Sequence, residues 1–600
     1  MNRHGPPPTI FGVENEYGIS WPGLDKLGAL SPSPITNSEF IASLFIEYFC
    51  YYAYRENPFR PNRPFADLLP DINNRSFCWP NGSKIYSDVG HPEYSTPECQ
   101  DPLTAALYVK AGEYLFEAVL RDMNRKISSL SAGEIKTLLK ESEHRAWFFQ
   151  HRVRDLPAEK NEHPEFGRIF IHKNNTDYAY NLKNVTGYVG NSYGTHENYL
   201  CLREKIQSHP YDFTLFSNLR RNFIPFLVTR QIFSGSGGFC RNSKDQLWCY
   251  VISPKALFIS KLVGQGGTSD KPLVSTKDRP FAPDDFFRLH LNYGDALMSE
   301  FATYLTLGTT RLVLSMLEDG WLNGQIVFAC EEILQNSAER SEIITEEVIG
   351  YLRRISNEYS FRPDLRLQIS RKGGLTPLEI QKLYLNLAKD YFREARSPKE
   401  WEKQVMEKWE FVLNLLENND ADAGSYIEWI AKKQFLERLA AKKLGLRNDK
   451  LSLDELSASE HWYKKVMSAS GRNEEIQDIL LAAAVQYADI DRKRGFYRRF
   501  AKNGLVKRMF NDFMVKQAMR WPPLTRAALR EYARNKAKIS GHKILMDNWS
   551  KFYLYPGNIP GGTSYVYTMK IPWGGEDLAD EMLKMDLWFE TGYGYPQPGC

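Results

Sequence analysis

Six hundred residues, 42% hydrophobic and 25% charged, make an ordinary globular composition, long enough for a large enzyme domain plus a small one. A formal net charge of +4 argues against wholesale nucleic-acid binding, and the eight scattered cysteines form no C-x-x-C pair, which argues against a zinc ribbon or thioredoxin-type site. Free thiols in a reducing compartment fit that pattern.

The opening MNRHGPPPTIFG carries no apolar signal core, and the apolar run Ile41–Tyr54 is short and holds Glu47. A cytoplasmic protein without a membrane span is expected. Alternation and β-branched and aromatic content predict a strand over 9–20 (TIFGVENEYGIS). Apolar spacing predicts a helix over 37–54; the proline-rich 55–80 reads as a loop, and 81–88 (NGSKIYSD) as a turn and a strand. Residues 102–155 read as mostly helical, with strands at Arg168–His172 and around Leu247–Ser253 and an inserted polar, aromatic loop at 178–190. GDALMSEFATYLTLGTTRLVLSMLED (294–319) has helical spacing, and 340–470 reads as charged helices with many i,i+4 pairs. KWEFVLNLLE and EWIAKKQFLERLAAKKLG are the clearest amphipathic segments there. Basic runs at Arg492–Arg494 and Arg498–Arg499 lead to a Pro/Gly-rich tail. The class is α+β, with strands in the first half and helices in the second.

Four stretches carry chemistry. Glu14 and Glu16 lie two apart on the opening strand, so both project to one side and repel unless a cation sits between them. Oxygen ligands of this kind suit Mg²⁺, although a solvated strand face has the same pattern. In Asp88-Val-Gly-His-Pro-Glu93, Gly90 and Pro92 force a tight excursion that gathers Asp88, His91 and Glu93 at a strand end. Asp88 suits a base or nucleophile and Glu93 a metal ligand; an Asx-type turn is the structural alternative. Lys173-Asn-Asn175-Thr-Asp177 and Gly190-Asn-Ser-Tyr-Gly-Thr-His196-Glu197-Asn-Tyr199 offer phosphate-cradling amides and possible ligands, with capping as the alternative for Asn174; no Walker A loop occurs. In Arg288-Leu-His290-Leu-Asn-Tyr-Gly-Asp295, His290 shares a face with Arg288 and suits a metal, though a lone strand histidine also serves packing. Thr276–Arg279 adds cations for a polyphosphate.

GVENEYGISWPG, NGSKIYSDVGHPEYSTPEC, KNNTD, GNSYGTHENYL, PFLVTRQIFSGSG, RLHLNYGDA and YLTLGTTRLVLSMLEDG occur in the order found in the Pup ligase/Pup deamidase family, which this chain resembles over about 9–330 and more weakly to about 550. The resemblance implies a glutamine-synthetase-like, carboxylate–amine-ligase fold: an antiparallel sheet cradle backed by helices over 1–505 and a small C-terminal domain over 506–600. It implies ATP (or ADP) and Mg²⁺ as cofactors. Glu14, Glu16, Glu93 and His290 match positions that hold metal and nucleotide phosphates, Asp88 matches the essential aspartate, and Asn175, His196, Glu197 and Arg288 match other positions around the cofactor. Lys277-Asp-Arg-Pro-Phe281 departs from the family's Arg-Asp-Glu-Pro-His run, and the inserts near 124–165 and 178–190 are unusual. The implied partners are a small ubiquitin-like, Pup-like tag, its conjugated targets and a proteasome system, with no nucleic acid or membrane; the implied state is a monomer or homodimer.

Family members either join the tag's terminal glutamate to a lysine, consuming ATP, or hydrolyse its terminal glutamine amide or isopeptide bond. GISWPG, STPEC, YLTLGTT, MLEDG and Glu56–Arg60 with Phe65 resemble the deamidase/depupylase, whereas DVG-HPE and GNSYG resemble the ligase. The expectation is the hydrolase, with the ligase as the alternative. A catalytically inert tag-binding relative and a small-molecule carboxylate–amine ligase stand behind these.

Overall fold

A computed structural model describes residues 9–22, 34–55, 76–131, 133–135, 167–177, 188–203, 216–244, 248–264, 271–275, 286–330, 338–443, 472–539, 543–546, 551–555, 565–568, 578–579 and 582–586. The strands that build the site are β1 (Phe11–Glu16), β2 (Gly18–Ser20), β3 (Ser76–Cys78), β4 (Lys84–Asp88), β5 (His91–Ser95), β6 (Phe170–His172), β7 (Tyr188–Val189), β8 (Thr195–Leu202), β9 (Gly238–Asn242), β10 (Trp248–Val251), β11 (Lys261–Gly264), β12 (Pro272–Ser275) and β13 (Phe286–Gly294). The helices that support them are α1 (Pro34–Arg55), α2 (Pro102–Ile127), α3 (Phe216–Ser234), α4 (Glu300–Glu318), α5 (Ala338–Glu358), α6 (Pro377–Glu394), α7 (Glu400–Glu417), α8 (Glu428–Lys443), α9 (Arg472–Tyr487), α10 (Phe496–Lys502), α11 (Asp512–Ala518) and α12 (Arg526–Ile539).

The main sheet runs β11-β12-β13-β8-β1-β5-β4-β3, antiparallel throughout except for the β11–β12 pair. Its central strands alternate strictly: Phe11, Val13 and Asn15 of β1, and Thr195, Glu197, Tyr199 and Cys201 of β8, point to the covered face. That face packs on α2, α3 and α4, whose Val109, Phe223, Leu227, Leu305 and Leu312 share one core with Phe11, Val13 and Leu289. Asp101 caps α2 by accepting from Thr104 N at 2.8 Å, with Pro102 at the first helical position, and Ser299 caps α4 from Ala302 N at 3.1 Å.

The segment after α10 closes back on the sheet. Phe510, Val515 and Ala518 join the same core as α2. Trp79 Nε1 donates to Met519 O at 2.7 Å, Asn81 Nδ2 to Ala518 O at 2.8 Å and Arg530 Nη2 to Gly82 O at 3.0 Å. The turn between β3 and β4 is therefore held from the C-terminal side.

Several sequence expectations change. The predicted first strand breaks at Tyr17 into β1 and β2, and the helix predicted over 102–155 ends at Ile127; 136–166 lie outside the described residues. The region read as helical over 340–470 contains a hairpin of Leu367–Ile369 and Gly373–Leu375, and 444–471 are outside the described residues. Lys543–Met546, Lys551–Tyr555 and Tyr565–Thr568 form an antiparallel sheet in a region expected to hold few strands; these runs are aromatic and β-branched but only four or five residues long. Glu56–Arg60, Phe65, 178–187 and 276–285 also fall outside the described residues. No described helix is long and apolar enough to cross a membrane.

Candidate active site

The uncovered face of the central sheet collects the predicted residues. Register places Glu14 opposite His196 and Ser95, Glu16 opposite Glu93, Tyr86 opposite Glu93 and His290 opposite Asn198. Five adjacent strands thus bring Glu14, Glu16, Glu93, Asp88, His196, Arg288 and His290 to one face. Two three-residue groups emerge, each with its donor atoms within 4.8 Å of one another: Glu14/His196/His290 and Glu16/Asp88/Glu93.

Asp88 reaches this face from a two-residue hairpin. It pairs with His91 across Val89 and Gly90, whose φ angles are +40° and +85°. A type I′ turn needs positive φ at both positions; glycine adopts it freely, whereas a β-branched valine is strained there. The turn leaves Asp88 exposed at the lip of the sheet while Glu93 is buried.

Asn198 organises the histidine. Arg288 Nη1 donates to Asn198 Oδ1 at 3.0 Å, and Asn198 Nδ2 donates to Glu14 Oε1 at 3.2 Å. Asn198 Oδ1 is therefore an acceptor, so the His290 Nδ1 atom 2.7 Å from it carries the proton and donates to it. The Nε2 lone pair is left for a metal. Burial pushes His290 down to about 3, against the pull of Glu14, so the ring is neutral.

The carboxylates divide in two. Burial opposes ionisation of Glu14, but the His196 hydrogen bond, His290 and Arg288 hold it down at about 2. Glu16 is also lowered against burial, by His196, Lys255 and His91 and by Gly194 N donating at 2.7 Å. Glu93 is pushed well up by burial and then by Glu14, Glu16 and Asp88, and Tyr86 OH donates to it. Asp88, at the rim, is raised by the partial desolvation of its carboxyl and by Glu16. Such crowding calls for a cation. The all-oxygen Glu16/Asp88/Glu93 group suits Mg²⁺; Glu14/His196/His290 brings two imidazoles, a mixed set that suits softer divalent ions as well.

Two expected residues lie elsewhere. Glu197 is one residue from His196 and so points to the covered face, where Arg230 grips it and Tyr199 OH donates to it at 2.6 Å. Its carboxylate is fully engaged in the core rather than turned to the cofactor side. Asn175, buried with φ +67°, binds Ser236 Oγ at 2.9 Å and receives Ala296 N at 2.6 Å; it braces loops behind the site. Sequence reading missed Lys255, whose buried Nζ has no hydrogen-bond partner among the described residues and lies 3.6 Å from Glu16 Oε2. It also missed Lys271, which donates to Asn191 Oδ1 at 2.7 Å. Gly194 makes room for Lys255: a Cβ there would sit 2.7 Å from Lys255 Cδ and 2.5 Å from Gly294 O. Tyr86 was legible, being two residues before Asp88 on the same face.

A family model described as Pup-ligase protein matches residues 9–552. The chain is 29% identical to a depupylase of Acidothermus cellulolyticus, covering 91% of each chain, and 31% identical to a Pup–protein ligase of Kineococcus radiotolerans, covering 87% of this chain and 88% of that one. A solved structure of the Pup ligase PafA in complex with ADP superposes with a TM-score of 0.60 at 24% identity, covering 88% of this chain and 93% of that one. The fold is thus the α+β, glutamine-synthetase-like architecture of carboxylate–amine ligases. With the matched region spanning the sheet, its helices and the segment that closes back upon them, the chain belongs to the Pup-ligase family and is an enzyme acting on Pup-related carbon–nitrogen bonds.

Proposed function

We propose that the chain is an ATP- and Mg²⁺-dependent deamidase/depupylase that hydrolyses the terminal glutamine amide or the isopeptide bond of a Pup-like tag. The observation that carries this reading is Asp88, at a hairpin tip within 4.8 Å of the half-buried Glu16 and the buried Glu93, a group that needs a cation. Glu14, Glu16, Glu93 and His290 would hold Mg²⁺, which supplies charge neutralisation and polarises phosphate and carbonyl oxygens when bound. Arg288, His196, Lys255 and Lys271 place cations and donors beside the carboxylates, where nucleotide phosphates would be gripped. Asp88 attacks the amide carbonyl or takes a proton from a water that does, and the leaving nitrogen takes up a proton. GISWPG, STPEC, YLTLGTT and MLEDG, together with the depupylase relative, support hydrolysis. The expected setting is the cytoplasm, with tagged proteins and a proteasome system as partners.

The second reading is the Pup–protein ligase, favoured by the 31% identical ligase and by the short DVG-HPE turn. There Asp88 would deprotonate the attacking lysine. Purified protein with ATP and Mg²⁺ is given a glutamine-ended tag, or a glutamate-ended tag plus a lysine protein, and followed by intact mass and phosphate release. Ammonia loss or tag release with little ADP supports the hydrolase. A new conjugate matched by ADP makes it the ligase. Neither product, with the tag still bound, indicates an inert relative.

A further inference from the structure

β9 and β10 pair so that Cys240 faces Cys249, between Arg241/Trp248 and Phe239/Tyr250. Directly opposed residues of an antiparallel pair have Cα atoms about 4.5–5.5 Å apart, inside the range of about 4.4–6.8 Å that disulfides span. Cys249 Sγ sits 3.4 Å from Cys240 O and 3.7 Å from Asn357 Oδ1, so the thiol is turned across the ladder. Both side chains lie with Val251, Leu257 and Phe258 on one face. No other two described cysteines oppose each other in a strand ladder.

We propose that Cys240 and Cys249 form a reversible dithiol–disulfide site, oxidised by a small-molecule disulfide of the glutathione type to a bridge across the β9–β10 ladder. Cys249, the half-buried member, starts the reaction: its thiolate attacks one sulfur of the small disulfide, that S–S bond breaks, and the departing thiolate takes up a proton. Cys240 is 2% exposed, and burial raises its thiol, so it acts second. It loses its proton, attacks the Cys249 sulfur of the mixed disulfide and expels the second thiolate. The protein gives up two electrons and two hydrogens, and the small disulfide becomes two thiols.

The bridge would fix a ladder whose ends lead to the loops behind the active site and to Lys255. Just before β9, Ser236 N donates to Asp295 Oδ2 at 2.9 Å; just after β10 the chain reaches Lys255, whose Nζ approaches Glu16. Oxidation locks the spacing of the two strands that hold these walls.

The test uses the full chain in a Cys600→Ser background, incubated with excess oxidised glutathione, then alkylated and examined by intact mass and non-reducing peptide mapping. The expected result is a linked pair of peptides holding Cys240 and Cys249, reversed by dithiothreitol. Cys249→Ser should abolish the link, and Cys240→Ser should trap glutathione on Cys249, with an unfolding midpoint of each reduced variant close to the parent's showing that it is folded. A stable glutathione adduct on Cys249 of the parent protein, a bridge through other cysteines, or unmodified Cys240 and Cys249 would overturn the proposal.

Discussion

The two faces of the central sheet treat buried charge in opposite ways. On the covered face, Glu197 and Arg230 satisfy each other, with Tyr199, Tyr293 and Thr310 taking the remaining donors and acceptors. On the open face, Glu14, Glu16, Glu93 and Asp88 crowd together, and among the described residues Lys255 Nζ has no hydrogen bond. Neighbouring residues of one strand thus serve different ends. His196 stands among crowded carboxylates, and Glu197 in a core where Arg230 balances its charge. A buried carboxylate is therefore not in itself a mark of function; its lack of a matched partner is.

The largest effect should come from Asp88→Asn, which keeps the shape of the lip and removes its base or nucleophile. Turnover of a glutamine-ended tag should fall by about 10²–10⁴-fold with an unchanged unfolding midpoint. Retained turnover would remove Asp88 from the mechanism. Next, Glu197→Gln should cost about 3–5 kcal/mol in denaturant unfolding, because Arg230 would be left buried without its counter-charge. Nucleotide binding should persist in the folded fraction; its loss at full stability would move Glu197 into the site. Glu93→Gln should behave in the reverse sense. In chelator the variant should melt higher than the parent, since burial and three neighbouring carboxylates already penalise that charge, while the gain in midpoint on adding Mg²⁺ and ATP should vanish. A lower midpoint in chelator would show that the open face is not electrostatically costly.

A smaller effect tests the C-terminal clamp. Burial opposes the Glu98 charge, but Arg530 and Arg526 hold its carboxyl at about 2, below the ordinary 4.5. A lowered carboxyl contributes stability that is complete above pH 4.5 and is lost as pH falls toward about 2. Arg530→Met should flatten that part of the stability–pH curve; an unchanged curve would show that Glu98 is not responsible. Smallest of all, Val89→Asn should relieve the left-handed backbone and stabilise by about 1 kcal/mol, since Val89 is exposed and has little packing to lose.

What the sequence revealed follows from period two. Alternation in GVENEYG puts Glu14 and Glu16 together, and alternation in THENYL separates His196 from Glu197. The same count shows that Glu197 belongs to the other face, although its place in a motif suggested the cofactor. Lys255 and Asn175 were harder to read, because their roles depend on contacts with Glu16, Ser236 and Ala296 far away in the chain. The late three-stranded sheet was missed because short runs lack the length that makes a pattern decisive.

The two-residue turn at Val89–Gly90 has one more consequence. Asp88 and Glu93 are brought together by counting rather than by packing: one residue added to the turn would shift the strand by a step, sending one of the two carboxylates through the sheet to the wrong side. On the proposed mechanism, loop length here sets catalytic geometry directly, and so would set how far the Asp88 carboxyl can lean out to meet an amide still attached to a whole folded protein.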